Sequence, residues 1–286
     1  MARSSNARRR HRTAVSRDWH GAERAAGEAA RLAALYDLDY APLEGGADVE
    51  WFCGLARRTG GPILELGCGT GRIAVPIAQD GHQIVGIDRS AAMLERAERR
   101  ARRANVEARW VEGDMRAFSF DEAFALIFVA FNSFLMLKPD DRFACLARVR
   151  EHLAPRGRFA CDVFQPDPEL IVGMEGGVVD EWERVDPETG KLVRKLSSSR
   201  ANVDGVTQRI WYEETGDDGA VHQIGAVGTL HYLYRREAEL LLANTGFQVE
   251  SLHGDYDGGV AVAGSRKLLI VAKRRERGTG RERRST

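Results

Sequence analysis

The sequence predicts a doubly wound α/β domain on a mostly parallel seven-stranded sheet, with an antiparallel β-hairpin meander inserted into it. Three observations predict this. Between residues 62 and 165, short apolar runs alternate with amphipathic stretches, the pattern of strands joined by helical crossovers. Phe124–Ala130 is apolar throughout, as a strand covered on both faces reads. Residues 178–234 change period and become extended runs between turn residues.

Taken in order, Ile63–Leu66 is a strand that runs into a Gly-rich loop, and a helix follows Gly71 with Pro76 as an expected kink. Gln83–Ile87 is the second strand. Ala91–Arg103 is a strong helix with Ser90 as its N-cap. Strands follow at Ala108–Val111 and Phe124–Ala130, then a helix at Asp141–His152 and a strand at Phe159–Phe164. The inserted runs are Val178–Val185, Leu192–Ser199, Val206–Tyr212 and Val221–Tyr234. Their turns fall at Pro187–Gly190, Asp204–Gly205 and Gly216–Gly219. A helix over about Arg236–Asn244, closed by Gly246, returns the chain to the first pattern. The last strands are Phe247–Leu252 and Lys267–Ala272. The Gly/Asp-rich Gly254–Ser265 link between them predicts a hairpin and an antiparallel final strand.

The expected organisation is one domain over 18–274, its core about 35–165 and 235–274 and its insertion about 178–234, between basic tails at 1–17 and 275–286. The first tail carries six arginines and no acid, so it has nothing to bury. A solvated tail is the leading reading, with a transit peptide or an RNA-contacting arm as alternatives. Across 286 residues, 42 basic side chains balance 42 acidic ones, which removes any whole-protein field for nucleic acid or membranes. No run approaches the ~20 apolar residues of a membrane span. Four scattered cysteines, Cys53, Cys68, Cys145 and Cys161, have neither C-x-x-C spacing nor a nearby His, so neither a disulfide framework nor a metal site is expected. The expected location is the cytoplasm.

The chemistry sits at three strand ends. In Ile63-Leu64-Glu65-Leu66-Gly67-Cys68-Gly69-Thr70-Gly71-Arg72 the glycines admit close approach to the backbone, and the following helix start offers free N–H groups. The dinucleotide fingerprint needs Gly or Ala where Arg72 stands, which argues against a nicotinamide or flavin enzyme. Glu65 suits a cationic ligand better than a pyrophosphate. Asp88, at the end of the second strand, stands at the interval of a carboxylate that holds ribose hydroxyls, with an ordinary strand-end cap as its plain alternative. Asp114 and Met115 end the third strand in Glu112-Gly113-Asp114-Met115-Arg116, an adenine-sized acceptor and packing surface, or simply a turn.

This succession resembles the class I S-adenosylmethionine-dependent methyltransferases, Rossmann-like enzymes, over roughly residues 35–274. The resemblance implies S-adenosyl-L-methionine as cofactor. It places the methionine portion in the loop of Glu65, Gly67, Cys68, Gly69 and Gly71, and the ribose at Asp88 with Arg89. The adenine falls at Asp114 and Met115, with Met93 lining the adenosine pocket and Phe131 beside it. The loop Phe131-Asn132-Ser133-Phe134-Leu135-Met136 should face sulfonium and substrate. It is similar to a small-molecule subgroup, sugar N-methyltransferases included, that carries a His where Met136 stands here. Absence of that imidazole tilts the acceptor mildly toward an amine, a thiol or an already acidic nucleophile over a poorly acidic hydroxyl. Substrate-side candidates are Tyr36, Tyr40, Asn132, Phe134, Asp162 and Phe164. Tyr36 and Tyr40 resemble a lid that excludes water, with plain packing on a helix face as the alternative; the hairpins, with His222, His231, Tyr232 and Tyr234, resemble a roof, though a strand-surface role is the leading reading for the two histidines. The reading is methyl transfer to an N or O nucleophile of a small molecule by in-line displacement. The rivals are an RNA or protein methyltransferase and a silent cofactor-binding protein. A homodimer is a further possibility.

Overall fold

The computed structural model describes residues 15–166, 171, 176–262 and 264–275. Its centre is a seven-stranded sheet in the order β10-β11-β5-β4-β1-β2-β3. The strands are β1 (Ile63–Leu66), β2 (Ile84–Asp88), β3 (Arg109–Glu112), β4 (Phe124–Val129), β5 (Leu153–Phe164), β10 (Phe247–His253) and β11 (Lys267–Arg274). β1 to β5 pair in parallel, and β11 runs antiparallel between β5 and β10. The order reverses between β1 and β4, and the crevice at that reversal is where open α/β sheets bind ligands.

Alternation along β4 shows why its sequence is apolar throughout. Leu126 and Phe128 join a core with Phe52 and Ile77 from α2 (Ala47–Thr59) and α3 (Ala74–Gln79). Ile127 and Val129 point the other way, into a core with Val149 of α5 (Pro139–His152) and Leu242 of α6 (Arg235–Asn244). Helix α4 spans Ala91–Arg103, and its Ser90 Oγ accepts the Met93 N–H at 3.3 Å, the cap the sequence announces.

The insertion is a separate four-stranded antiparallel sheet, β6 (Val179–Val185), β7 (Leu192–Ala201), β8 (Gly205–Thr215) and β9 (Val221–His231), in sequential order. The long helix α1 (Val15–Tyr40) lies on it, with Leu35 packed against Val193 and Tyr212.

Several expectations need correction. The expected tails fall almost wholly on residues 1–14 and 276–286, outside the described residues, and α1 begins at Val15. Neither the length of α1 nor α2 was foreseen. Pro76 makes no kink in a helix interior, since α3 is only six residues long and Pro76 is its third. β5 starts at Leu153, six residues early, because Leu153 pairs with Phe124 across a register shift that a turn-like Pro-Arg-Gly hides.

Candidate cofactor and acceptor site

The loop after β1 is fixed by its neighbour. Gly67 and Cys68 N–H both donate to Ile87 O, at 2.8 and 2.9 Å, and Gly113 N–H donates to Asp88 O at 2.9 Å. Three strand ends are thereby stapled side by side. Gly67, Gly69 and Gly71 all have positive φ. A side chain on Gly69 would meet nothing within 4 Å, so this residue faces open space, as a ligand cradle needs. Gly71 differs: a Cβ there would lie 3.0 Å from Trp110 and 3.2 Å from Ala97. It is glycine so that the loop can pack on β3 and α4. The Cys68 side chain is likewise turned inward toward Gly86, where burial pushes its thiol pKa well up; only its backbone borders the crevice.

Glu65 is 2% exposed, and its Oε2 has no hydrogen-bond partner. Desolvation drives its carboxyl pKa well above the ordinary value, opposed by Arg72. An orphaned carboxyl oxygen beneath an open glycine cradle fits a ligand that brings a cationic donor, such as an α-ammonium group.

Asp88 already has two partners, accepting from Gly69 N–H and Ser90 N–H at 2.9 Å each. Asp114 accepts from the Arg116 side chain at 2.6 and 2.9 Å and from the Arg116 amide at 2.9 Å; these bonds lower its pKa to about 2. Arg89 is exposed, its Nε 4.0 Å from Asp114. Met93 lies in the first turn of α4 and is half-buried. The Met115 Cε and Ser133 Cβ both approach within 3.3 Å of the place a Gly67 Cβ would take, so β3, β1 and β4 ends converge there.

The β4 end carries the most unusual backbone. Phe131 and Asn132 are successive left-handed residues, φ 55° and 64°, closed by Ser133 N–H donating to Ala130 O at 3.1 Å, the form of a type I′ turn. An aromatic residue there is an outlier that costs of order 1–3 kcal/mol and persists only when its surroundings enforce it. They do: Phe131 N–H donates to Asp162 Oδ1 at 2.6 Å, and Asn132 Oδ1 accepts from Phe164 N–H at 2.6 Å. Asp162 is fully buried, and its Oδ2 accepts from Tyr256 OH at 2.6 Å and Lys267 Nζ at 3.3 Å.

Over this turn lie Tyr40, edge-on to Phe131 at 4.9 Å, and Tyr36, 4.6 Å from Tyr40. Their four-residue spacing puts both on one face of α1. Burial raises both phenol pKa values. Arg72 lies 4.8 Å from the Phe131 ring centroid and is ion-paired to Asp48 at 2.5 Å. The end of α1 is bound to the inserted sheet through buried Asp39, which accepts from Trp182 Nε1 at 2.8 Å, Lys195 Nζ at 2.8 Å and Tyr212 OH at 3.1 Å.

Phe134 is not a site residue. It is 2% exposed and packs with Phe159 in the core. Phe164 sits against Tyr232 at 6.5 Å. Met136 is 62% exposed, so its side chain offers nothing to a buried reaction. The His231 and Tyr232 carbonyls accept from Arg142, which ties the end of the insertion to α5, and His222 is exposed. Sequence reading missed Arg72, Lys195, Lys267 and Tyr256. Arg72 was signalled by standing directly after the glycine loop; the others come from distant segments and carried no local signal.

This is the fold and crevice of the Rossmann-like methyltransferases, and comparisons with known proteins agree. A family model described as a methyltransferase domain matches residues 63–157. The cypemycin N-terminal methyltransferase of a Streptomyces species is 28% identical over 247 residues, spanning 84% of this chain and 94% of that protein. The demethylmenaquinone methyltransferase of Thermus thermophilus is 33% identical over 169 residues, 57% of this chain and 74% of that one. A solved S-adenosylmethionine-dependent methyltransferase from Clostridium acetobutylicum shares the fold at TM-score 0.73 and 16% identity, covering 86% of this chain and 98% of its own. The chain belongs to the class I S-adenosylmethionine-dependent methyltransferases, and S-adenosylmethionine is its cofactor.

Proposed function

We propose that this methyltransferase methylates an amine nitrogen of a small-molecule acceptor in the cytoplasm. In the cofactor cradle, Glu65 takes the α-ammonium group, the Gly67 and Gly69 backbone borders the methionine chain, and Asp88 accepts from the ribose hydroxyls. Asp114, Met115 and Met93 border the adenine. Bound there, the cofactor supplies an activated methyl group. The chain's own work is to align the acceptor with that methyl and to exclude water, which in favourable cases is worth roughly 7–11 kcal/mol.

One observation supports the nitrogen reading: among the described residues, the side chains at the β4 turn leave no base free. Asp162 has both oxygens engaged by Phe131, Tyr256 and Lys267. Burial keeps the Tyr36 and Tyr40 phenols neutral. A neutral amine attacks without prior deprotonation, whereas an ordinary hydroxyl needs a base. The similarity to an N-terminal methyltransferase over most of the chain supports the same nucleophile. The roof formed by α1 and the inserted sheet favours a compact acceptor. A reducing compartment agrees with four cysteines that are all free and buried. β9 supports a homodimer: it is an edge strand whose sequence Val221–His231 contains no Lys, Asp, Glu or Pro to discourage pairing with a second copy.

The test is incubation with isotopically labelled S-adenosylmethionine and parallel panels of amines, including peptide N-termini, and of matched hydroxyl compounds. Label entering amines supports the reading; label entering only hydroxyls or carboxylates refutes it.

A further inference from the structure

The Gly/Asp-rich link between β10 and β11 does more than reverse the chain. It carries Tyr256, whose ring lies 6.4 Å from Trp51 and 4.9 Å from the Lys267 ammonium. Both Tyr256 OH and Lys267 Nζ reach one oxygen of Asp162, from a loop and a strand far along the chain from β5. The other oxygen of Asp162 holds the Phe131 amide. Phe131 occupies a backbone region that no phenylalanine takes without enforcement. Strain kept in place by a buried hydrogen-bond chain points to a ring that must be held in one position. Its face already receives a cation, Arg72 at 4.8 Å, and its turn adjoins Gly67 through Ser133.

We propose that Tyr256 and Lys267 are positioning residues: by holding Asp162 Oδ2 they keep Oδ1 on the Phe131 amide, and so fix the strained turn that sets the Phe131 ring beside the cofactor sulfonium. The proposal rests on the reading that the end of β4 faces the sulfonium. An aromatic ring attracts a cation through its quadrupole, so the arrangement favours the charged S-adenosylmethionine over neutral S-adenosylhomocysteine. Asp162 is the transmitter, since among the described residues it hydrogen-bonds both Tyr256 and the turn.

The experiment is isothermal titration of the full chain with S-adenosylmethionine, S-adenosylhomocysteine and adenosine, for wild type, Phe131→Leu, Tyr256→Phe and Lys267→Gln. Phe131→Leu should lower the ratio of sulfonium to thioether affinity by about threefold, the scale of one partly solvated cation–π contact. Tyr256→Phe keeps the ring beside Trp51 and removes only the hydroxyl; it should lower the ratio in the same direction and leave adenosine binding unchanged. Lys267→Gln should do likewise, and it decides the matter if Tyr256→Phe does not fold. A wild-type ratio in both positioning variants, with a lowered one in Phe131→Leu, overturns the proposal. A wild-type ratio in Phe131→Leu overturns it too, by removing the ring from the sulfonium. Failure of the reading beneath it is distinguishable: if the end of β4 did not face the sulfonium, Phe131→Leu itself would keep the wild-type ratio, whereas failure of the positioning role alone lowers the ratio in Phe131→Leu and leaves it unchanged in Tyr256→Phe and Lys267→Gln.

Discussion

Replacing Asp88 by Ala separates two roles that the structure superimposes on one carboxylate. In the folded protein Asp88 accepts from the Gly69 and Ser90 amides at 2.9 Å each, so it holds the glycine loop whether or not a ligand is present. Hydrogen bonds to a charged acceptor are worth about 1.5–3 kcal/mol each when buried. Asp88 is only half-buried, water can replace the carboxylate at both amides, and the expected loss of stability is about 1–2 kcal/mol for the pair. That corresponds to a fall of a few degrees in melting temperature for a chain of this size. Ribose hydroxyls would lose a charged acceptor as well, a further ~1–3 kcal/mol, or roughly 5- to 150-fold in affinity. Thermal unfolding without ligand measures the first effect, and titration with S-adenosylmethionine at a temperature where the variant is folded measures the second. A lower melting temperature with unchanged affinity would refute the ribose role and leave Asp88 as a loop staple. Unchanged values of both would refute the geometry itself.

Other substitutions test neighbouring parts of the argument. Gly69→Val meets nothing within 4 Å of its Cβ but places a β-branched residue at φ 54°, so it should fold with a melting temperature lowered by the backbone strain of about 1–3 kcal/mol, and abolish cofactor binding detected by titration; Gly71→Val adds a clash with Trp110 at 3.0 Å to the same strain and should lower the melting temperature further. Lys195→Met leaves buried Asp39 without its cation and should cost about 3–5 kcal/mol in denaturant unfolding, far more than any exposed pair such as Arg102 with Glu98. Asp114 has a folded pKa of about 2 against 3.8, so its ion pair with Arg116 stabilises the fold above pH 4 and is lost as pH falls through about 2. Arg116→Met should weaken that acid-limb dependence and leave the part owed to the residue-116 amide and to Arg89, as read by urea titrations between pH 2 and 5. If the self-pairing of β9 holds, Val227→Lys should shift the scattering mass of the chain from dimer to monomer, and an unchanged mass would exclude that edge.

The seven core strands and their order of helices were legible because both signals are local. An apolar run such as Phe124–Val129 records burial on two faces, and Ser90 before Ala91–Arg103 records a helix start. The cofactor crevice was legible for the same reason, since each of its segments is a short motif at the end of a strand. What residues do inside such a motif was not. Gly67, Gly69 and Gly71 look equivalent in sequence, and Phe134 looks as available as Phe131. Only packing shows that Gly71 is glycine for Trp110, and that Phe134 belongs to the core.

The sequence by itself determined the class of fold, the glycine- and acid-bearing strand ends and the inserted hairpins, because periodicity and turn chemistry are read from residues near one another. Tertiary structure alone decided which side chains converge on the reacting end. Asp162, Tyr256 and Lys267 come from β5, a loop and β11, and Asp39 meets Lys195 across more than half the chain. A hydrogen bond depends on distance in space, and no local pattern records which remote segment the sheet order will bring within 3 Å.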